Sequence, residues 1–299
     1  MCRALLDSLA SIPLRCPLEF VGGFAELSSL FQAIGHEQQL PVPYAHRIAN
    51  LLPESIKVIP CFLDRLTGVW RYDYGEPLEV GGTKVIGTNM FHGVAILFEV
   101  ISCADWRLPP PKLGAYLARL SNRIHHEDVL VEFAPVLRLD AEILAEYEVS
   151  DHGAGNHTVD WSIQAPGHPK LLLEVKHRVA DLIESFEAVS ARGSDQSMPA
   201  PQHNHALLFR NVECKFKPHP ADEAIQAVWI KTGLKQEEME LRAAFAALDP
   251  EKIHAAVLGS WGPEAYVLAR EEKTKKRVRN ILGLRKARGL TFIRLAASR

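Results

Sequence analysis

The chain has 299 residues, of which 47% are hydrophobic and 23% charged, and its formal net charge is −2. This length allows one large domain or two ordinary ones, and the composition excludes a wholly disordered chain. The five cysteines are odd in number, far apart and without a C-x-x-C pair, which argues against a disulfide framework or a zinc ribbon and favours a reducing compartment.

The N-terminal part of the chain carries the weakest pattern. Its start, MCRALLDSLASIPLRCP, has an acidic residue inside a very short apolar stretch and makes a poor signal peptide. Residues 1–90 mix short apolar runs with Pro and Gly, which predict a helix around 24–34 and short strands near 56–62 and 84–86. We treat 1–90 as a region of unknown role, either a domain or an elaboration of the domain formed by 91–299.

Residues 91–137 predict two helices and a strand. Phe91 to Ala104 is typical of a buried helix, but it is broken by Glu99 and is too short to span a bilayer. We therefore expect no membrane partner and a cytoplasmic protein, or a nuclear one in a eukaryote. A second helix is predicted over 113–125, followed by a strand in DVLVEFAPVL.

Residues 146–177 have the clearest pattern, in which EYEV, TVDWSIQ and KLLLEVKH alternate as three strands separated by turn-rich segments. A turn centred on Gly167 places Asp160 opposite Glu174 and Ser162 opposite Leu172. A slip of one residue would move Asp160 to the other face. The apolar alternation favours the first register, with one face buried; its members are Val159, Trp161, Ile163, Leu171, Leu173 and Val175.

The rest of the chain predicts further elements: a helix over 179–189, a strand in ALLFRNVECKFK, helices over 221–231 and 236–248, and late strands in IHAAVLGSW and LTFIRLA. The expected fold is α/β, with a mixed central sheet that is built on an antiparallel meander and flanked by helices.

Asp160 and Glu174 would repel each other on one face of the hairpin, and Lys176 lies one step further along that face. A divalent cation is the natural compensation, because Mg²⁺ binds through one or two carboxylates, several waters and phosphate oxygens. Mn²⁺ would serve equally. The lysine could then orient a water and stabilise charge that develops on a phosphate.

The stretches VDWSI and LLLEVKHR, in which thirteen residues separate Asp160 from Glu174, resemble the signature of the PD-(D/E)XK nuclease superfamily, which has the restriction-endonuclease-like fold. Val159 stands where that signature often has Pro. The resemblance covers residues 129–191 and implies that Asp160 and Glu174 bind a metal and that Lys176 is catalytic.

That family often adds an acidic residue from an earlier element. Glu148, on the polar face of the preceding strand, is the preferred third ligand, and Glu99 is the alternative. Each could equally form an ordinary salt bridge.

The charge is unevenly distributed along the chain. Residues 273–299 contain ten Lys and Arg and no acidic residue, so the rest of the chain, with 24 basic against 36 acidic residues, carries −12. A basic segment of this kind can follow a phosphate backbone. The candidate contacts are Lys273, Lys275, Lys276, Arg277, Arg279, Arg285, Lys286 and Arg288.

Several other interpretations stay open. VECKFK contains a second E-x-K, Glu213 and Lys215, in a poorer context. The loop histidines could hold zinc, although no cysteine accompanies them at zinc spacing; they are His152, His157, His203 and His205. His177 could touch a phosphate. The three strand residues could instead form a salt-bridge ladder on a half-exposed sheet, which would contribute little to stability.

The sequence thus predicts a metal-dependent nuclease with DNA as the expected substrate. A homodimer is compatible with this function, because cutting both strands needs paired sites. A nucleic-acid-binding or interaction module on the same fold, without hydrolysis, is the alternative.

Overall fold

The computed structural model describes residues 21–74, 78–80, 83–85, 91–177, 205–231 and 238–286. The chain divides into two compact units, Met1–Phe133 and Ala134–Arg299. The sequence suggested a division near residue 90, whereas the helices that follow residue 90 belong with the N-terminal unit.

The N-terminal unit contains a four-stranded antiparallel sheet in the order β1-β2-β3-β6 and a separate hairpin, β4-β5. Its strands are β1 (Val21–Glu26), β2 (Pro60–Asp64), β3 (Val69–Asp73), β4 (Leu78–Val80), β5 (Thr83–Val85) and β6 (Phe91–Gly93). Its helices are α1 (Leu27–Glu37), α2 (Val42–Leu51), α3 (Glu54–Lys57), α4 (Val94–Arg107), α5 (Pro110–Leu120) and α6 (His126–Val131).

A buried histidine links the helices and strands of this unit. His126 is 1% exposed, and its Nδ1 donates a hydrogen bond of 2.7 Å to the Leu120 carbonyl. Its Nε2 therefore accepts from the hydroxyl of Tyr72, at 3.0 Å. Burial lowers the pKa of His126 to about 4, so the ring is neutral at physiological pH.

The C-terminal unit is built on a seven-stranded mixed sheet in the order β13-β12-β11-β10-β9-β8-β7. Strands β9, β10 and β11 are parallel, whereas β7, β8 and β9 form an antiparallel meander. The strands are β7 (Leu144–Val149), β8 (Val159–Gln164), β9 (Lys170–His177), β10 (Ala224–Lys231), β11 (Ala255–Gly259), β12 (Glu264–Ala269) and β13 (Arg285–Lys286). The helices are α7 (His205–Glu213), α8 (Glu238–Ala246) and α9 (Glu272–Ile281). The mixed α/β class and the meander are confirmed.

The predicted register of the β8–β9 hairpin is also confirmed. Ser162 pairs with Leu172, and Gly167 lies in the connection with a φ of +72°. The six residues expected on the buried face are all buried. The other face is covered around Leu172, which packs in one cluster with residues of α7 and α8, namely Phe209, Val212, Leu241 and Phe245. Asp160 and Lys176 on the same face are half-buried.

Three predictions of local structure were wrong. The segment DVLVEFAPVL contains α6 and turns rather than a strand, ALLFRNVECKFK contains α7, and Ala221 to Lys231 contains strand β10 rather than a helix. Each is a short apolar run, in which periodicity alone distinguishes helix from strand poorly. The helix predicted over 179–189 and the strand LTFIRLA lie outside the described residues.

Candidate active site

Asp160 and Glu174 come from neighbouring strands, where the β8–β9 pairing ends. The last paired residues are Trp161 and Leu173, each one position from the acidic residues. The freed backbone N–H of Val175 donates to Asp160 Oδ2 at 2.7 Å. This bond fixes the Asp160 carboxylate beside the residue that follows Glu174.

Glu174 is fully buried and is held by two lysines. Lys176 Nζ donates to Glu174 Oε1 at 2.6 Å, and Lys215 Nζ donates to the same oxygen. The lysine side chains are 30% and 27% exposed, whereas that of Glu174 is 0% exposed. Glu174 Oε2 has no hydrogen-bonding partner in the part of the chain that the structure describes. One oxygen of a buried carboxylate is therefore saturated with donors while the other is left without any.

The sequence draws attention to Lys215 as part of a second E-x-K motif and not as a partner of Glu174. It belongs to the second E-x-K, but Glu213 does not share its site, because Glu213 Oε1 accepts from the backbone N–H of Asp249 at 2.5 Å. Lys215 lies in the turn after α7, and its carbonyl accepts from Ala154 N at 2.7 Å. No local sequence signal could show that this turn returns to Glu174, since the contact spans 41 residues.

The turn that carries Lys215 is fastened to the connection between β7 and β8. Gly153 forms an isolated antiparallel bridge with Phe216, directly after Lys215. A Cβ at Gly153 would overlap the carbonyl oxygen of His157, so only glycine fits there. The connection that leads into the Asp160 strand therefore also positions Lys215.

The charges of the site alter the titration of its members. Burial, and next the charge of Glu174, raise the pKa of Asp160 to about 6, against the opposing effects of Lys176 and the Val175 N–H. Burial acts to lower the pKa of Lys176, but the charges of Glu174 and Asp160 outweigh it and raise that pKa above its usual value. Lys176 is therefore a protonated donor at neutral pH and no base.

The predicted three-carboxylate metal site is not assembled. Among the described residues, no group of three His, Cys, Asp or Glu side chains could hold a metal ion. Glu148 lies between the pairs formed by Tyr147 and Val149 on β7, beside Asp160, but its φ of +48° departs from strand geometry. The sequence does not reveal this irregularity. Glu99 lies on α4 in the N-terminal unit.

The donor set nevertheless fits a magnesium ion that keeps several waters. Mg²⁺ needs only one or two protein carboxylates, and the rest of its coordination comes from water and substrate phosphate. Asp160 and Glu174 supply two carboxylates in the right chemical class. The buried Glu174 Oε2, which has no donor within reach among the described residues, is the atom that most needs a cation.

The histidines show no zinc site where the structure describes them. His152 and His157 lie in the connection between β7 and β8, and neither belongs to a group of metal-binding side chains within the described ranges. His177 ends β9. His205 begins α7 as described, and His203 lies outside the described residues.

The basic C-terminal residues do not form one surface. Lys273 and Arg277 bind Asp222 at 3.0 and 2.6 Å, and Asp222 precedes the first residue of β10. That end of the sheet is opposite the end at which Lys176 lies, since β9 and β10 are parallel. Both side chains are thus paired with a carboxylate, away from the candidate site.

Other members of the basic segment return towards the end of the sheet that carries the site. Arg285 pairs in register with Glu264, at the strand ends that lie beside the last residue of β11. Lys275 pairs with Glu272 at 3.3 Å, whereas Lys276 is exposed. Arg279 lies near the end of α9, Lys286 ends β13, and Arg288 lies outside the described residues.

Searches among family models, curated proteins and solved structures gave no match to this chain. Within the described residues, no helix is long and apolar enough to cross a membrane.

Proposed function

We propose that the protein is a metal-dependent nuclease of the restriction-endonuclease-like fold, which hydrolyses phosphodiester bonds with DNA as substrate. One observation carries this proposal. The fully buried Glu174 presents one oxygen to Lys176 and Lys215 and leaves the other without a donor among the described residues, beside Asp160.

Burial argues against an ordinary salt-bridge ladder. Surface ion pairs are exposed on both sides and contribute about 0–1 kcal/mol. Removing a carboxylate from water costs several kcal/mol, and its ion pairs offset this cost only when the remaining lone pairs are also satisfied. Glu174 is 0% exposed and has one oxygen without a donor within the described chain. Such an arrangement is typical of a functional site, where stability is lost in favour of chemistry.

The charge balance of the site suits a phosphodiester. Two carboxylates and two ammonium groups sum to zero, so a bound divalent cation would make the site positive towards an anionic substrate. Asp160 and Glu174 Oε2 would hold that cation, which supplies charge neutralisation and a more acidic bound water. Lys176, protonated and 30% exposed, can donate to the attacking water and to a non-bridging phosphate oxygen.

Lys215 acts through Glu174 and is a positioning residue. Because it donates to Oε1, it orients the Glu174 carboxylate and frees Lys176 to turn towards substrate without leaving that oxygen unpaired. It also reduces the repulsion between Glu174 and Asp160, which both lie in surroundings of low polarity.

The proposal is tested by incubating the purified protein with plasmid, linear duplex, single-stranded DNA and RNA, with Mg²⁺, Mn²⁺ or chelator. Lys176→Ala is expected to lose at least about 100-fold in rate, as when a transition-state donor is removed. Lys252→Ala is the matched control, since Lys252 lies in the turn after α8, where its amide donates to the Asp249 carbonyl.

Equal cutting by the wild type and Lys176→Ala would contradict the proposal. Salt-sensitive binding without cutting would favour a non-hydrolysing nucleic-acid-binding module on the same fold. The relative rates on the four substrates test DNA as the expected substrate, and the oligomeric state in solution tests the predicted homodimer.

A further inference from the structure

Four basic or titratable side chains gather on the face of the sheet that carries Glu174, further back along β9. We call them the His152 cluster; its members are His152, Lys170, Lys217 and His219. Lys170 Nζ donates to His152 Nε2 at 3.1 Å, so an ammonium group and an imidazole are in direct contact. Lys217 Nζ donates to the carbonyl oxygen of Asp151, the residue before His152, at 3.1 Å.

The backbone around the His152 cluster is anchored on both sides. The fully buried Gln226 donates through Nε2 to the Lys217 carbonyl at 2.7 Å. The amide of His219 donates to the Glu251 carbonyl at 2.9 Å. Gly153 and Phe216 form the bridge that joins the two segments. Hydrogen bonds to the backbone therefore fix the segments that carry the cluster.

Within the part of the chain that the structure describes, no carboxylate lies at ion-pair distance from the cluster. Across the described ranges, none of its four members forms a salt bridge with Asp or Glu. The nearest acidic side chain that acts on it is Asp151, which opposes the others but forms no ion pair with them. Burial lowers the pKa of His152, and the neighbouring charges of Lys170 and His219 lower it further.

We propose that the His152 cluster binds a phosphate group of the nucleic-acid backbone. A phosphate offers several strong acceptor oxygens, and it suits ammonium and imidazole donors that converge without an acidic partner. Backbone phosphates receive half or more of the hydrogen bonds between proteins and DNA, and these contacts set the register of the duplex. None of its four members belongs to the basic C-terminal segment, so the cluster adds a contact to those proposed for that segment.

The position of the cluster deepens the proposed function, on which its role in substrate alignment rests. Lys170 and Glu174 lie four residues apart on one strand and on the same face, or about 13 Å. Measured along the axis of a DNA duplex, where each nucleotide of a strand rises by about 3.4 Å, this distance corresponds to about four nucleotides of one strand. The cluster would hold the substrate backbone while the bond at Lys176 is cut.

The test measures binding and needs no hydrolysis. A short fluorescent DNA duplex is titrated with the protein in chelator over a range of NaCl concentrations. We compare the wild type with Lys170→Gln/Lys217→Gln and with Lys57→Gln/Lys112→Gln, which removes the same charge from the N-terminal unit. The first variant is expected to make the slope of log K against log salt shallower by about 0.9, because the cluster is proposed to neutralise one backbone phosphate. The control should leave the slope unchanged.

Thermal unfolding checks that the double variant is folded; if it is not, Lys170→Gln alone replaces it in the same titration, with an expected change in the same direction of at most about 0.9. A second arm follows the His152 ring by NMR during addition of inorganic phosphate. If phosphate shifts the ring signals but the DNA slope is the same in all proteins, the cluster is a small-anion site and the assignment to nucleic acid is overturned.

The failures of the two proposals are distinguishable. If the double lysine variant shows the expected shallower salt slope but the wild type does not cleave DNA, the result would support the cluster and contradict the hydrolytic site. Cleavage with identical slopes for all three proteins would overturn the cluster alone. No binding of DNA by the wild type would overturn the cluster as a backbone contact.

Discussion

A single carboxylate determines the character of the site. Glu174 is surrounded by protein, contacts Lys176 and Lys215 through one oxygen and lies beside Asp160. The sequence was sufficient to bring Asp160, Glu174 and Lys176 together on one face of the hairpin, because strand alternation and turn chemistry determine which residues share a face. It was not sufficient to assign Lys215, because that contact depends on how the turn after α7 packs against a strand 41 positions earlier.

The burial of Asp160 has a cost that mutation should reveal. Its folded pKa of about 6 lies above the ordinary 3.8, so stability is highest below 3.8 and is lost as the pH rises through 6. In chelator above pH 6, we expect Asp160→Asn to be more stable than the wild type by about 1–3 kcal/mol. The gain should vanish near pH 3.8. Urea unfolding across this range measures it.

Asp222→Asn is the matched control for that experiment. Asp222 is 72% exposed and its hydrogen bonds to Arg277 and Lys273 lower its pKa. The same chemical change there should give no gain in stability at any pH. A gain in both variants, or in neither, would contradict the burial cost assigned to Asp160.

If Lys215 positions Glu174, removing its charge should strengthen metal binding and slow cleavage. Lys215→Met removes a cation from Glu174 Oε1, so we expect Mn²⁺ to bind several-fold more tightly while the cleavage rate falls about tenfold or more. Calorimetry and cleavage assays measure the two effects. A variant that was merely misfolded would lose both, and Lys252→Met, in the turn after α8, should leave the metal affinity and the cleavage rate unchanged.

Among the elements, the hairpin was predictable and the helices around it were less so. The β8–β9 register follows from alternation about Gly167. In α7 and the turn after it, Phe209, Val212 and Phe216 are buried at a spacing of three and four, which indicates a helical face, yet the segment also reads as a short apolar strand. Strand β10, buried along seven of its eight residues, has no alternation to identify it.

Substitutions at two glycines distinguish the effect of backbone conformation on stability from the effect of side-chain packing. A Cβ at Gly167, where φ is +72°, or at Gly114 in α5 would meet no atom within 4 Å. We expect Gly167→Ala to destabilise the protein by about 1 kcal/mol, because alanine is strained at positive φ. Gly114→Ala should stabilise it by about 0.5–1 kcal/mol through helix propensity. Chemical unfolding measures both effects; an unchanged stability of Gly167→Ala would contradict the hairpin geometry, and a loss in Gly114→Ala would contradict the open space assigned to that helix position.

At the scale of the whole molecule, each of the two units has a buried titratable group, and the two respond to acid with opposite signs. His126 in the N-terminal unit has a folded pKa of about 4 against 6.5, so its stability contribution is full above 6.5 and declines as the pH falls towards 4. The decline amounts to about 3 kcal/mol. Asp160 in the C-terminal unit gains stability over the same interval.

Hydrogen exchange tests this difference in one experiment. After correction for intrinsic rates, the amides of α6 and β3 should lose protection between about pH 7 and 5, whereas those of β8 and β9 should keep or gain it. In His126→Phe, the acid-dependent loss in the N-terminal unit should disappear. Equal acid sensitivity of both units in the wild type would contradict the assigned pKa shifts.

Charge asymmetry was visible in the sequence, but its placement was not. The basic C-terminal segment is divided between two ends of the sheet, because α9 begins near Asp222 and β13 lies at the other end. The sheet order follows from parallel pairing of β9 with β10, which no local pattern encodes. The sequence therefore predicted the register of the central hairpin better than the distribution of basic side chains around the sheet.

The most direct measurement is the rate of DNA cleavage by Asp160→Asn beside that of Asp222→Asn, with Mg²⁺ and with chelator. We predict that the wild type and Asp222→Asn cut at similar rates only with metal, and that Asp160→Asn is at least about 100-fold slower. Equal rates for Asp160→Asn and the wild type, or cutting that persists in chelator, would contradict a metal-dependent site built on Asp160 and Glu174.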